Sequence, residues 1–70
     1  MTKVNSYNVF DENEYSTILF HAIAESEDEV RELAEEQGIS LEGCTIEMER
    51  ANVKDQLGRP FGKRIEDARV

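Results

Sequence analysis

Tryptophan is absent from this 70-residue chain, and cysteine, proline and histidine each occur once. Each scarcity narrows the field. With Cys44 alone no intrachain disulfide can form, which fits a reducing compartment better than a disulfide-stapled scaffold. His21 and Cys44 are the sole members of their types, so a four-ligand zinc site would need carboxylates to complete it. No run approaches the ~20 apolar residues of a membrane span, and no basic-then-apolar leader marks a signal peptide. The expectation is one soluble, cytoplasmic domain without membrane contact.

Basic residues are scarce where most of the chain lies. Residues 1–49 hold two, Lys3 and Arg31, against thirteen acids. Residues 50–70 reverse the balance, with Arg50, Lys54, Arg59, Lys63, Arg64 and Arg69 against three acids, and the whole carries −8. Direct nucleic-acid binding by so acidic a body is unfavourable, because affinity for phosphates depends on cationic side chains releasing counterions. The attractive partner is a basic protein surface, such as that of a nucleic-acid-binding protein. Solubility alone is the plainer reading of the same acidity. By charge the chain divides into an acidic α+β body, 1–53, and a basic C-terminal tail, 54–70, either packed on the body or acting as an arm.

What is present is clearest at Ser26–Gly38, SEDEVRELAEEQG. Ser26 is a good N-cap, and Glu29 three residues on suits a capping box with the Ser26 amide. Glu27, Asp28 and Glu29 favour the positive end of the helix dipole. Val30, Leu33 and Ala34 form one apolar stripe, with Leu33 expected at its centre. Gly38 supplies a left-handed stop, and Ile39 can fold back onto the last turn.

Strands are expected on either side. KVNSYNVF at residues 3–10 is rich in β-branched and aromatic types, and Asp11–Glu14 has the length and polarity of a hairpin turn. Residues 15–24, YSTILFHAIA, make a second strand. Its alternation places Ile18, Phe20 and Ala22 on one face and Thr17, Leu19, His21 and Ile23 on the other. Both faces being apolar suggests a central strand, or an outer face covered by the tail or a second subunit. CTIEMERA, 44–51, alternates cleanly, with Cys44, Ile46 and Met48 inward and Thr45, Glu47 and Glu49 outward. Gly58, Pro60 and Gly62 then break any helix. Residues 63–70 return as a short strand or helix, or belong to an arm.

The predicted fold is therefore a small α+β domain of β-β-α-β order. It has a three-stranded, mainly antiparallel sheet with the first strand favoured at the centre and the second as the alternative, one helix on one face, and a C-terminal tail or short fourth element. In size, acidity and element order it resembles accessory proteins of phages and mobile elements, with no motif tying it to one family.

Catalytic chemistry finds little footing. A Cys44–His21 contact across adjacent strands would lower the thiol pKa, but Cys44 reads as a small buried hydrophobe and His21 as a strand residue at the surface. The helix carboxylates have no apolar surroundings to perturb them, and GRPFG lacks the spacing of a phosphate loop. No catalytic, cofactor or metal residue is expected. The expected function is a non-enzymatic adaptor or inhibitor that presents carboxylates to a basic protein surface. Its partner-binding residues would be Glu32, Glu35 and Glu36 on the helix and Glu47 and Glu49 on the third strand. Arg59, Phe61 and Arg64 in the tail complete the set, as residue types that anchor interfaces. The alternative is a self-assembling module, a homodimer through an edge strand or the tail. In the plainest reading of the tail, Leu57 and Phe61 cover the sheet.

Overall fold

Capping chemistry begins the helix where the sequence places it. The computed structural model describes residues 3–68, the Tyr15 side chain apart. Helix α1 runs Glu27–Glu36, and the Ser26 hydroxyl accepts from the Glu29 amide at 3.2 Å. The return contact differs from a capping box: Glu29 Oε1 accepts from the Glu25 amide at 2.8 Å, one residue before the cap. Gly38 ends the helix at φ +72°. Nothing lies within 4 Å of where its Cβ would be, so the left-handed backbone and not crowding calls for glycine. The Ile39 amide then donates to Ala34 O at 2.8 Å, folding Ile39 back against the core as expected.

Among the described residues the strands are β1 (Asn5–Asp11), β2 (Glu14–Ala24), β3 (Cys44–Arg50) and β4 (Arg64–Asp67). They form one antiparallel sheet in the order β3-β1-β2-β4. The expected three-strand sheet with β1 between its neighbours is thus extended by a fourth strand. Arg64–Asp67 leaves the Gly/Pro-rich segment and adds to the far side of β2. Arg69 and Val70, the end of the anticipated tail, lie outside the described residues.

Apart from Tyr7 and Phe20, the core is built from small and β-branched side chains. Tyr7, Val9, Phe20, Ala22, Ala24, Ile46 and Ile65 rise from the sheet to meet Val30 and Ala34 of α1. Alanines on both surfaces let helix and sheet approach closely. The helix stripe is therefore centred on Val30 and Ala34, while Leu33, expected at the centre, is half-buried at the cluster's margin. Val53, after β3, is buried too, and its amide donates to Val4 O at 2.9 Å.

One expectation of register and one of burial fail, each for a local reason. Val9 pairs with Phe20 but Phe10 with Ile18, so Leu19 is an extra residue in β2. This bulge turns Leu19 toward the core beside Phe20 and sends Ile18 to the opposite face with Phe10. Met48 stands opposite buried Tyr7 yet is 56% exposed. The helix lies mainly over β2 and β4, so this end of edge strand β3 has no cover.

The tail contributes less cover than its apolar residues suggest. Ile65 is buried beneath α1, but Leu57 is 76% and Phe61 40% exposed. Asp55 organises the loop between β3 and β4: its Oδ1 accepts from the Leu57 and Arg59 amides at 2.8 and 3.0 Å. These bonds fold the segment on itself, holding Leu57 away from the sheet. Lys63 then fastens the chain to the helix start, reaching Glu25 at 2.8 Å and Glu29 at 3.0 Å.

Candidate functional site

The residues expected to bind a partner fall on separate surfaces. Glu32, Glu35 and Glu36 are exposed on α1, which covers one side of the sheet. Glu47 and Glu49 are exposed on β3 and belong to the uncovered side. No flat partner can touch both sets at once.

The uncovered side carries a polar network. Glu49 is an extra residue in β3, since Ser6 pairs with Arg50 but Tyr7 with Met48. Its carboxylate accepts from Ser6 Oγ at 3.3 Å and from Asn8 Nδ2 at 3.1 Å. With the amide nitrogen donating to Glu49, Asn8 Oδ1 is left as the acceptor for His21 Nδ1, 2.8 Å away. Nδ1 of His21 is therefore the donor in this contact. Arg64, from the expected set, lies at the same face opposite Ile23 and pairs with Glu66 at 3.4 Å. Phe10, Ile18 and Ile23 add half-buried apolar surface.

Arg59 and Phe61 belong to neither group. The Arg59 guanidinium Nε donates to Asp55 Oδ2 at 3.2 Å, closing its own loop. The backbone donors from Arg59 and Leu57 hold the Asp55 carboxyl below the usual range. The Glu25 amide does the same for Glu29, helped by Lys63. Lys63 is pushed up in turn by its hydrogen bonds to Glu25 and Glu29.

One concave feature among the described residues was not foreseen from the sequence. A cleft of about 600 Å³ opens where the C-terminal end of α1 meets the sheet. Its lining joins apolar Leu19, Phe20, Ile39, Cys44 and Ile65 with acidic Asp11, Glu42 and Asp67. Gln37 and Ser40 line its helix side. The bulge is what delivers Leu19 here. The electrostatics point one way, because the helix C-terminus carries partial negative charge and has no basic residue in its last turn. Glu35 and Glu36, in that turn, sit where the dipole disfavours them, by about 0.3–1 kcal/mol each.

The contact that could activate the thiol does not form. Strand β1 separates β2 from β3; Cys44 packs against the core cluster, whereas His21 bonds to Asn8 on the uncovered face. Among the described residues no group of three or more His, Cys, Asp or Glu side chains could hold a metal ion. No helix of the described residues is long and apolar enough to cross a membrane. The chain matches no protein-family model, no curated protein and no solved structure.

Proposed function

We propose that this protein is a non-enzymatic binding module that recognises a basic segment of a protein partner in the cleft at the end of α1. The observation that carries the reading is a cleft whose lining combines Leu19, Ile39 and Ile65 with Asp11, Glu42 and Asp67 at the negative end of a helix. A lysine or arginine is amphipathic: its methylenes can cover Leu19, Ile39 and Ile65 while its head group reaches the carboxylates. Glu32, Glu35 and Glu36 extend the negative field along the helix and raise the encounter rate with a cationic partner. The consequence for the partner is occlusion, its cations being engaged and withheld from other ligands.

The test is an NMR titration with a peptide of alternating lysine and leucine. Saturable shifts at Leu19, Ile39–Cys44 and Ile65, weakened by salt, are expected. Glu42→Lys should abolish them and Glu47→Lys, on the other side of the sheet, should not. Shifts scattered evenly over exposed carboxylates, or equal loss in both variants, would reject the cleft as the site.

A further inference from the structure

Among the described residues the sheet has two free edges, and they are built differently. Edge strand β3 reads CTIEMER, with Glu47 and Glu49 exposed, and like charge along an edge deters pairing with another chain. Edge strand β4 has no such guard. The segment entering and forming it, Lys63-Arg64-Ile65-Glu66-Asp67, is antisymmetric in charge about Ile65: two bases, one apolar residue, two acids. We infer that β4 pairs antiparallel with the β4 of a second copy across a two-fold axis at Ile65, making one eight-stranded sheet.

Backbone geometry selects the same centre. The Ala68 amide donates to Leu19 O at 2.9 Å, and β4 pairs with β2 without a shift from Asp67 to Arg64. In an antiparallel ladder the direction of N–H and C=O alternates. Ala68, Glu66 and Arg64 thus turn their backbone groups toward β2, and Ile65 turns its own toward the free edge. A two-fold at Ile65 makes Ile65 and the second copy's Ile65 a pair exchanging both backbone hydrogen bonds. Arg64 then stands opposite the second copy's Glu66, twice, as a close pair with Cβ atoms about 4.5–5.5 Å apart. Lys63 stands opposite Asp67, again of opposite sign.

Other registers are worse. A centre at Glu66 or at Arg64 sets like charges directly opposite each other. A centre between residues sets each copy's covered face against the other's uncovered face. The paired edge is short, which places the dimer among weak, reversible associations. Ile65 and Asp67 also line the cleft, but the association test below is run without any peptide, so this inference stands or falls apart from the binding reading above.

The experiment uses two single variants, Arg64→Glu and Glu66→Arg. Each puts like charges in both cross-pairs of its own homodimer, while a mixture of the two restores opposite charge in both. Arg64 and Glu66 are exposed and their ion pair lies within one copy, so neither change touches the core. By sedimentation equilibrium the wild type should dimerise with rising concentration, each variant alone should be weakened at least tenfold, and the equimolar mixture should recover heterodimer. Hydrogen exchange gives the second reading. The Ile65 amide should be protected in concentrated wild type and lose protection on dilution or in Arg64→Glu. A wild type monomeric at NMR concentrations would overturn the inference. So would variants that associate as the wild type does, or a mixture that stays monomeric.

Discussion

Val30→Ala tests the packing on which both surfaces depend. Val30 is fully buried, one of the largest side chains without solvent contact, and faces the sheet from the middle of α1. Removing two methyl groups forfeits roughly 0.8 kcal/mol each of transfer free energy. Incomplete collapse of the space left adds about 1 kcal/mol. Alanine is the better helix former, which returns roughly 0.5 kcal/mol. The net cost is about 2 kcal/mol, a large share of the ~5 kcal/mol that a domain of this size holds. In a thermal melt followed by circular dichroism the midpoint should fall by roughly 8–16 °C. Met48→Ala serves as the control, expected to change stability by no more than about 0.5 kcal/mol because the side chain is mostly exposed. A Val30→Ala midpoint equal to wild type, or a Met48→Ala loss as large, would refute the placement of the helix over β2 and β4.

Stability should also fall at both ends of the pH scale. Glu29 and Asp55 have lowered pKa values, so their contribution is present above the unfolded carboxylate value and is lost as pH drops through the folded one. Lys63 is raised, so its contribution is present below the unfolded lysine value and is lost as pH climbs through the folded one. Urea titrations across pH should show this, and Glu29→Gln should flatten the acid limb; an acid limb superimposable on wild type would contradict the assignment. In the C-terminal segment, Ile65→Ala should cost about 2–5 kcal/mol as a core truncation, whereas Phe61→Ala, partly exposed, should cost far less. Equal losses in a denaturant series would mean that Phe61 covers the sheet after all.

The helix was legible because its determinants are local. Ser26, Glu29 and Gly38 act within a turn of their own positions, and the contacts at 25–29 and 34–39 follow from them. Strand identity was legible at β3 for a similar reason: alternation over Thr45–Glu49 is a property of neighbours. Cover was not. Whether Met48 is buried depends on how far the helix reaches across the sheet, and that is set by alanines 22, 24 and 34, distant in sequence. The bulge at Leu19 is a property of pairing with β1 and leaves no mark in the run STILFHAI. Strand β4 was ambiguous because four residues with one apolar side chain carry too little pattern, and breakers precede them. The cleft is the extreme case. The helix end, the turn after it and all four strands contribute to it, so no segment announces it.

Where the basic residues sit gives the acidity a direction. Arg31 pairs with Glu27 in the first half of the helix, Lys63 with Glu25 and Glu29 at its start, and Arg59 with Asp55 in the loop. Arg64 pairs with Glu66 on β4. Among the described residues these ion pairs leave the last helical turn and Glu42 without a cationic partner. Of the tail's charges Lys63 thus balances the helix N-terminus, where the dipole already tolerates acids, and the C-terminal end stays negative, where the dipole disfavours them. A chain tuned only for stability would be expected to reverse that arrangement. The proposed cation-binding surface would account for acids kept at this cost, since proteins tend to give up stability at sites of function. Glu36→Lys separates the two explanations: a gain in midpoint with unchanged binding of the lysine–leucine peptide would leave solubility as the explanation. A gain in midpoint with weakened binding would support the cleft.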